Sequence, residues 1–334
     1  MEKGPEFKIV GRASEEAKQS TIKHLEDALF HHLDSVSLEE TEEIYKFEIP
    51  KTPEQVRMIE FANKEINELR KKFGLESYDV PIENFHILPA EVYYKLEPAG
   101  EDGFADSTLQ GIFLNYDKIN DHPLSFGLVC FHELLHLKSN LKIEAYGNHR
   151  DARQDGLRMK SSLKDTLSGR SHEHFRGLDE SIVEGQTKKM IGKILALPGF
   201  EKKKELMESD LFKSLCREVC VETGIPEDDF QEIIKDDEGW YHKSCGYLSQ
   251  RKTLEYVIDK ILEDNTEVYK SEDEVFDEFL RAEMTGKVLP IARLVEKSFG
   301  KGSFRILGNM GAGENEGDVY LDQMRKLRIQ AVKK

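Results

Sequence analysis

Two histidines four residues apart flank a glutamate in the run His132-Glu133-Leu134-Leu135-His136. Residues at i and i+4 lie on one face of a helix, so both imidazoles can point at one ion. Glu133, beside the pair, can take a proton from a water on that ion. The chemistry expected is metal-assisted hydrolysis, with zinc held by His132 and His136 and with Glu133 as general base. The sequence from Asp121 to Leu137 supplies the helix. Asp121 reads as its N-cap and Pro123 fits the first turn. Apolar residues then surround it, which implies a buried helix whose polar groups need partners. The competing reading is a helix whose histidines bond to backbone carbonyls or carboxylates.

A catalytic zinc takes three protein ligands and leaves a position for water. The third is expected on a second helix, where Leu178, Ile182, Val183, Met190, Ile191 and Ile194 recur at helical spacing. Glu180 and Glu184 stack four apart beside that stripe, where like charges repel. A zinc at Glu180 and a histidine partner for Glu184 would remove the conflict. A solvated acidic face is the alternative in a chain with 64 acidic residues.

His-Glu-Leu-Leu-His, followed downstream by Leu178-Asp179-Glu180-Ser181-Ile182-Val183-Glu184, resembles the gluzincin metallopeptidases. The resemblance covers roughly residues 108–190 and rests on these two motifs. It implies that His132, His136 and Glu180 are zinc ligands, that Glu133 is the base, and that Glu184 orients a ligand imidazole. The gap from His136 to Glu180 is longer than in the best-known members, and Ser181 stands where Gly or Ala is usual. The resemblance also implies an edge strand ahead of the motif helix, for which Leu109–Tyr116 has the composition; an ordinary core strand fits it equally. It further implies a Tyr or His that stabilises an oxyanion. Tyr247, four residues before Arg251, is the first candidate, then His242 and Tyr241. His172 and His174 read as loop histidines.

The chain has 334 residues, 38% hydrophobic and 34% charged, and a formal charge of −16. These values fit a globular protein and disfavour nonspecific nucleic-acid binding. No apolar run reaches the 18 or so residues of a membrane span, and the first residues lack a secretion signal. Four cysteines, Cys130, Cys216, Cys220 and Cys245, do not make a disulfide framework. They read as reduced core residues in a cytoplasmic protein, although the last three with His242 could form a structural zinc site.

The fold expected is α+β and mainly helical: a zincin-like metallopeptidase with a small mixed sheet and a helical C-terminal half. Residues 1–140 form a helix-and-sheet part ending in the His-Glu helix, 141–171 a polar insert, and 172–334 a helical part carrying the third ligand. The elements expected in the first part are helices at 14–34 and 52–73, strands at 43–48 and 85–96, and a loop at 97–107. Within the insert, 143–146 pairs with 157–160. Helices follow at 201–223, 227–235, 248–264, 272–284 and 287–299, then a Gly-rich loop at 301–317 and a basic end at 325–334. The function expected is peptide hydrolysis on a peptide or protein substrate. The alternative is a catalytically silent peptide-binding or regulatory protein with a structural zinc.

Overall fold

The computed structural model describes residues 7–10, 14–30, 46–97, 101–146, 149–164, 171–236 and 239–333. The fold is mixed α+β and mainly helical. Helices α1 (Glu15–Phe30) and α2 (Pro53–Lys72) come first. Thr52 caps α2 by accepting from the Gln55 N–H, and the Gln55 side chain reaches back to the Thr52 N–H. This reciprocal pair satisfies two of the donors that a helix start leaves open.

A three-stranded sheet follows, with order β2-β4-β3: β2 is Phe85–Leu88, β3 Gly103–Asp106 and β4 Gly111–Asn115. Strand β2 runs parallel to β4 and β3 antiparallel to it. The segment expected as one strand over 85–96 turns at Pro89 into helix α3 (Ala90–Leu96). The expected edge strand at 109–116 is instead the central strand β4, buried along its length. Among the described residues the edge strands of this sheet are β2 and β3, and β3 lies inside the span expected as loop. A second sheet has order β1-β5-β6-β7-β8, with β1 (Lys8–Val10) parallel to β5 (Leu141–Tyr146). Strand β5 pairs with β6 (His149–Asp155), so residues 143–146 do not pair with 157–160; β7 (Arg158–Lys164) and β8 (Ser171–His174) complete the sheet. The expected strand at 43–48 lies partly outside the described residues, and Lys46 and Phe47 are helical.

Helix α4 (Tyr116–Ile119) leads into α5 (Pro123–Leu137), which carries the His-Glu motif and is buried along most of its length. His122, not Asp121, occupies its N-cap, and Pro123 takes the first turn as expected. Phe126, Phe131, Leu134 and Leu135 of α5 are buried in one large core shared with Ile59 and Ile66 of α2 and with Ile182 and Val183 of α6 (Arg176–Lys188). Beyond α7 (Ile191–Ile194), the helix expected over 201–223 is broken at Ser209, which caps α9 (Asp210–Thr223) after α8 (Glu201–Glu208). The helix expected at 227–235 is a 3-10 turn followed by strand β9 (Phe230–Asp236), which forms a hairpin with β10 (Gly239–Ser244). Helices α10 (Leu248–Asp264), α11 (Glu272–Thr285), α12 (Leu289–Phe299), α13 (Ser303–Leu307) and α14 (Glu316–Val332) close the chain. Helix α13 sits inside the expected Gly-rich loop, and the basic end continues α14. Among the described residues, no helix is long and apolar enough to cross a membrane.

Candidate metal centre

Helices α5 and α6 pack side by side and bring their two i, i+4 pairs face to face. His132 Nε2 lies 3.2 Å from His136 Nε2, and each lies 3.3 Å from Glu180 Oε2. The three atoms form a nearly equilateral triangle. Ligands about 2.0–2.1 Å from a tetrahedrally coordinated divalent ion stand about 3.3–3.4 Å apart. The triangle therefore fits one face of such a tetrahedron and leaves its fourth corner free.

The other ring nitrogens explain why this triangle presents lone pairs. His132 Nδ1 lies 2.8 Å from Glu184 Oε2, and His136 Nδ1 lies 3.5 Å from Asp179 Oδ2. A carboxylate at Nδ1 favours the proton there and turns the Nε2 lone pair inward. Two lone pairs and a carboxylate oxygen then converge in a buried space. Without a cation that arrangement is repulsive, so protons must supply the balance. Burial alone would lower the pKa of His136, but the charge and bond of Glu180 raise it to about 9. His132 is held well above the usual imidazole range, because its bonds to Glu180 and Glu184 outweigh burial. Burial pushes Glu180 up, yet His136's charge and both imidazole bonds hold it well below the carboxylate range. The site thus attracts positive charge in any form.

Glu133 is not in the triangle. It lines the cleft on both sides of it. Burial raises its pKa, the two imidazoles pull it back, and Glu180 and Glu101 add to the rise, giving about 7. A base poised there can both take and return a proton near neutral pH. Strand β3 lies directly against this part of α5. A Cβ at Gly103 would meet Val129 Cγ1 at 2.7 Å and Glu133 Cγ at 3.2 Å, so only glycine permits the approach.

Tyr247 stands over the site. Its ring stacks on His132, with centroids 6.1 Å apart and planes 19° from parallel. Burial and then Glu180 raise the pKa of its hydroxyl, which stays protonated as a donor. The backbone at Tyr247 is left-handed, φ 51°, an uncommon conformation for a residue with a Cβ. The structure around it holds that conformation in place. Gly246 N–H donates to Glu184 Oε1 at 2.8 Å, and Arg251 Nε donates to Gly246 O at 2.8 Å. Arg251 also grips Asp229 with both terminal nitrogens, at 3.3 and 2.5 Å, and Lys188 reaches the same carboxylate at 2.6 Å. One buried chain of contacts thus runs from Asp229 through Arg251 and Gly246 to Glu184 and His132.

Two cavities, of about 430 and 350 Å³, meet at the triangle. Glu101, His132, Glu133 and Tyr247 line both. Gly103 borders the first, and Phe104, Ala105 and Asp106 of the same edge strand border the second. Asp155, Arg158 and Lys160, from the segment expected as a polar insert, form part of the second cavity's wall.

The sequence-derived set His132, Glu133, His136, Glu180, Glu184 and Tyr247 is therefore brought together. His242 lines the first cavity, while Tyr241 is 44% exposed and stacks on His122. His174 is exposed, and the His172 side chain lies outside the described residues. Among the described residues, the groups able to hold a metal are His132–His136–Glu180 and His136–Asp179–Glu283. Neither contains a cysteine, so the conjectured site of Cys216, Cys220, Cys245 and His242 is not among them. In the second group the carboxylates already accept backbone N–H bonds from Leu157 and Arg158, which marks it as support for His136. Asp179, Glu283, Asp229 and Glu101 escaped the sequence reading. Asp179 had a visible signal, directly before Glu180; Glu283 had one too, four residues after Phe279 on the buried face of α11.

Comparison with known families, curated proteins and solved structures found no match to this chain.

Proposed function

We propose that this protein is a zinc-dependent peptidase of the gluzincin type, with His132, His136 and Glu180 as ligands. The observation that carries the reading is the 3.2–3.3 Å triangle of inward-facing donor atoms with Glu133 beside it. When bound, zinc supplies Lewis-acid chemistry: it lowers the pKa of water and polarises a carbonyl oxygen. Glu133 takes the proton of the attacking water and passes it to the leaving amine. The Tyr247 hydroxyl donates to the oxygen that becomes negative as the carbonyl is attacked. Glu184 and Asp179 hold the two imidazoles in the tautomer that binds metal.

The cleft favours an extended chain as substrate. It is open at both sides of the triangle, and β3, which among the described residues pairs only with β4, borders both cavities. A peptide added antiparallel to that edge would have its backbone groups paired alongside Glu133. The four cysteines are unpaired, which suits a reducing compartment, and we place the activity in the cytoplasm.

The test joins metal analysis of the purified protein to digestion of a mixed peptide library. About one zinc per chain is expected, with cleavage that the Glu133→Gln variant loses while keeping its zinc. Zinc at that stoichiometry with no cleavage of any peptide would favour a silent peptide-binding protein. Absence of zinc from protein refolded or purified with it would overturn the reading.

A further inference from the structure

We propose that Glu283 is a positioning residue of the metal centre: it fixes Asp179, and through Asp179 the orientation of His136. This rests on the metal reading above and adds a residue that no motif contains. Glu283 lies on α11, far along the chain from both metal-binding helices, and its side chain is fully buried. The Leu157 N–H donates to Asp179 Oδ1 at 2.7 Å and to Glu283 Oε2 at 2.9 Å, so one donor pins both carboxyl groups. The Arg158 N–H adds a second bond to Asp179 Oδ1, at 3.1 Å. Those contacts leave Oδ2 of Asp179 turned toward His136 Nδ1, 3.5 Å away.

The turn between β6 and β7 is shaped around this pair. At Gly156, with φ +56°, a Cβ would fall 1.8 Å from Glu283 Oε1 and 2.6 Å from Asp179 Oδ1. The Glu283 carboxyl therefore occupies the space a side chain would take. The Gly156 N–H bonds to Asn140 O at 2.8 Å, and the Asn140 N–H reaches Glu283 O at 3.4 Å. The end of α5, the start of α6, the end of α11 and the β6–β7 turn are thus tied at one point behind His136.

A space-filling role does not account for the residue type. A buried carboxyl group without a cation is costly, and an apolar side chain would fill the same volume at less cost. The two imidazoles are supported in parallel ways. Glu184 behind His132 is anchored by the Gly246 N–H, and Asp179 behind His136 by the Leu157 and Arg158 N–H groups, the first of which it shares with Glu283. Carboxylates that orient a metal-bound histidine typically change metal affinity 10- to 100-fold, and a group fixing such a carboxylate acts on the same quantity.

The experiment measures zinc affinity of the full chain by competition with a chromophoric chelator, in the parent and in Glu283→Leu, Glu283→Asp and Glu283→Gln. Thermal unfolding confirms that each is folded at the assay temperature. Glu283→Leu is expected to weaken zinc binding about 10- to 100-fold. Glu283→Asp, which withdraws the carboxyl group by one carbon, should weaken it several-fold. Glu283→Gln, which keeps length and can donate to Asp179, should restore most of the affinity. In an Asp179→Asn background, Glu283→Leu should cost little more, because its effect passes through Asp179. Parent-like affinity in Glu283→Leu, or full additivity with Asp179→Asn, overturns the role of Glu283 alone. If Glu283→Leu does not fold, parent-like affinity in Glu283→Asp overturns it equally. A parent protein that takes up no zinc overturns the metal reading and this one with it.

Discussion

Replacing Gly156 by alanine tests the packing behind the metal centre with a single methyl group. Two costs are separable. The first is conformational: φ is +56°, and a residue with a Cβ pays about 1–2 kcal/mol there. The second is steric. The new Cβ would lie 1.8 Å from Glu283 Oε1 and 2.5 Å from its Cδ, so the buried carboxyl group must leave its place. Its bond from the Leu157 N–H then breaks, and a buried group left unpaired costs about 1–3 kcal/mol. The sum is about 2–5 kcal/mol. Gly74→Ala is the control: its φ is +73°, but no atom lies within 4 Å of the added Cβ, so only the first cost applies. At about 2 °C per kcal/mol for a chain of this size, Gly156→Ala should melt roughly 4–10 °C below the parent and Gly74→Ala roughly 2–4 °C below it. Both are read by thermal unfolding with chelator present, then again with excess zinc. Gly156→Ala should also bind zinc more weakly, and Gly74→Ala should not. Equal destabilisation by the two variants, with equal zinc affinity, would refute the close contact between the turn and the carboxyl pair.

Three further outcomes follow from the same geometry. Zinc affinity should rise with pH through about 9, because the ion must displace the protons that the carboxylates hold on His132 and His136; a profile flat from pH 6.5 to 9 in chelator competition would contradict the shared position of proton and metal. Arg251→Ala should destabilise the protein by about 3 kcal/mol in urea unfolding, the low end for breaking a buried ion pair, since Lys188 still faces Asp229; a loss under about 1 kcal/mol would mean the Asp229–Arg251 pair does not hold this region. Tyr247→Phe should lower kcat about 100-fold with KM near the parent value; an unchanged kcat would move the oxyanion role to another donor, with His242 the next candidate in the cleft.

What the sequence made legible was local. His132 and His136, like Glu180 and Glu184, are spaced for one helical face, and helical geometry alone puts each pair together. Their mutual approach is a product of packing between α5 and α6 and has no local signature beyond the apolar stripes that drive it. The errors have the same origin. Phe230, Ile233 and Ile234 satisfy helical spacing, yet Trp240 and Tyr241 pair across from Lys235 and Ile234 and make that segment a strand. Strand β3 is four residues, Gly-Phe-Ala-Asp, too short to show alternation, and its pairing with β4 defines it. The apolar run after Pro89 winds into α3 because Pro89 suits a helix start, whereas within a strand it would remove a ladder hydrogen bond. Glu283 was written into the buried stripe of α11 between Phe279 and Thr285, but an acid at one such position gains meaning only when its partner, on α6, is known.

The buried junction of α5, α6 and α11 contains five carboxyl groups, those of Glu133, Asp179, Glu180, Glu184 and Glu283, against two imidazoles. Arg158 and Arg251, on neighbouring elements, offset part of this excess, and the remainder is tolerable in two ways. Protons on the imidazoles and on the most strongly raised carboxyl groups can offset it, or a dication can. Glu283 is pushed well above the carboxylate range, first by burial and then by the charge of Asp179, which favours its neutral form in the metal-free protein. The imidazoles differ between the states. In the metal-free protein the raised pKa of His136 contributes stability that is complete below its unfolded value near 6.5 and is lost as pH rises through about 9. In the loaded protein the imidazoles are already neutral, and the same rise in pH removes nothing from them. The stabilisation conferred by zinc should therefore widen steadily from pH 6.5 to 9, measured as the difference in melting temperature with and without the metal. A metal-free protein folded at neutral pH and weakened toward pH 9 would show that protons and metal balance one set of charges; a difference independent of pH would show that they do not.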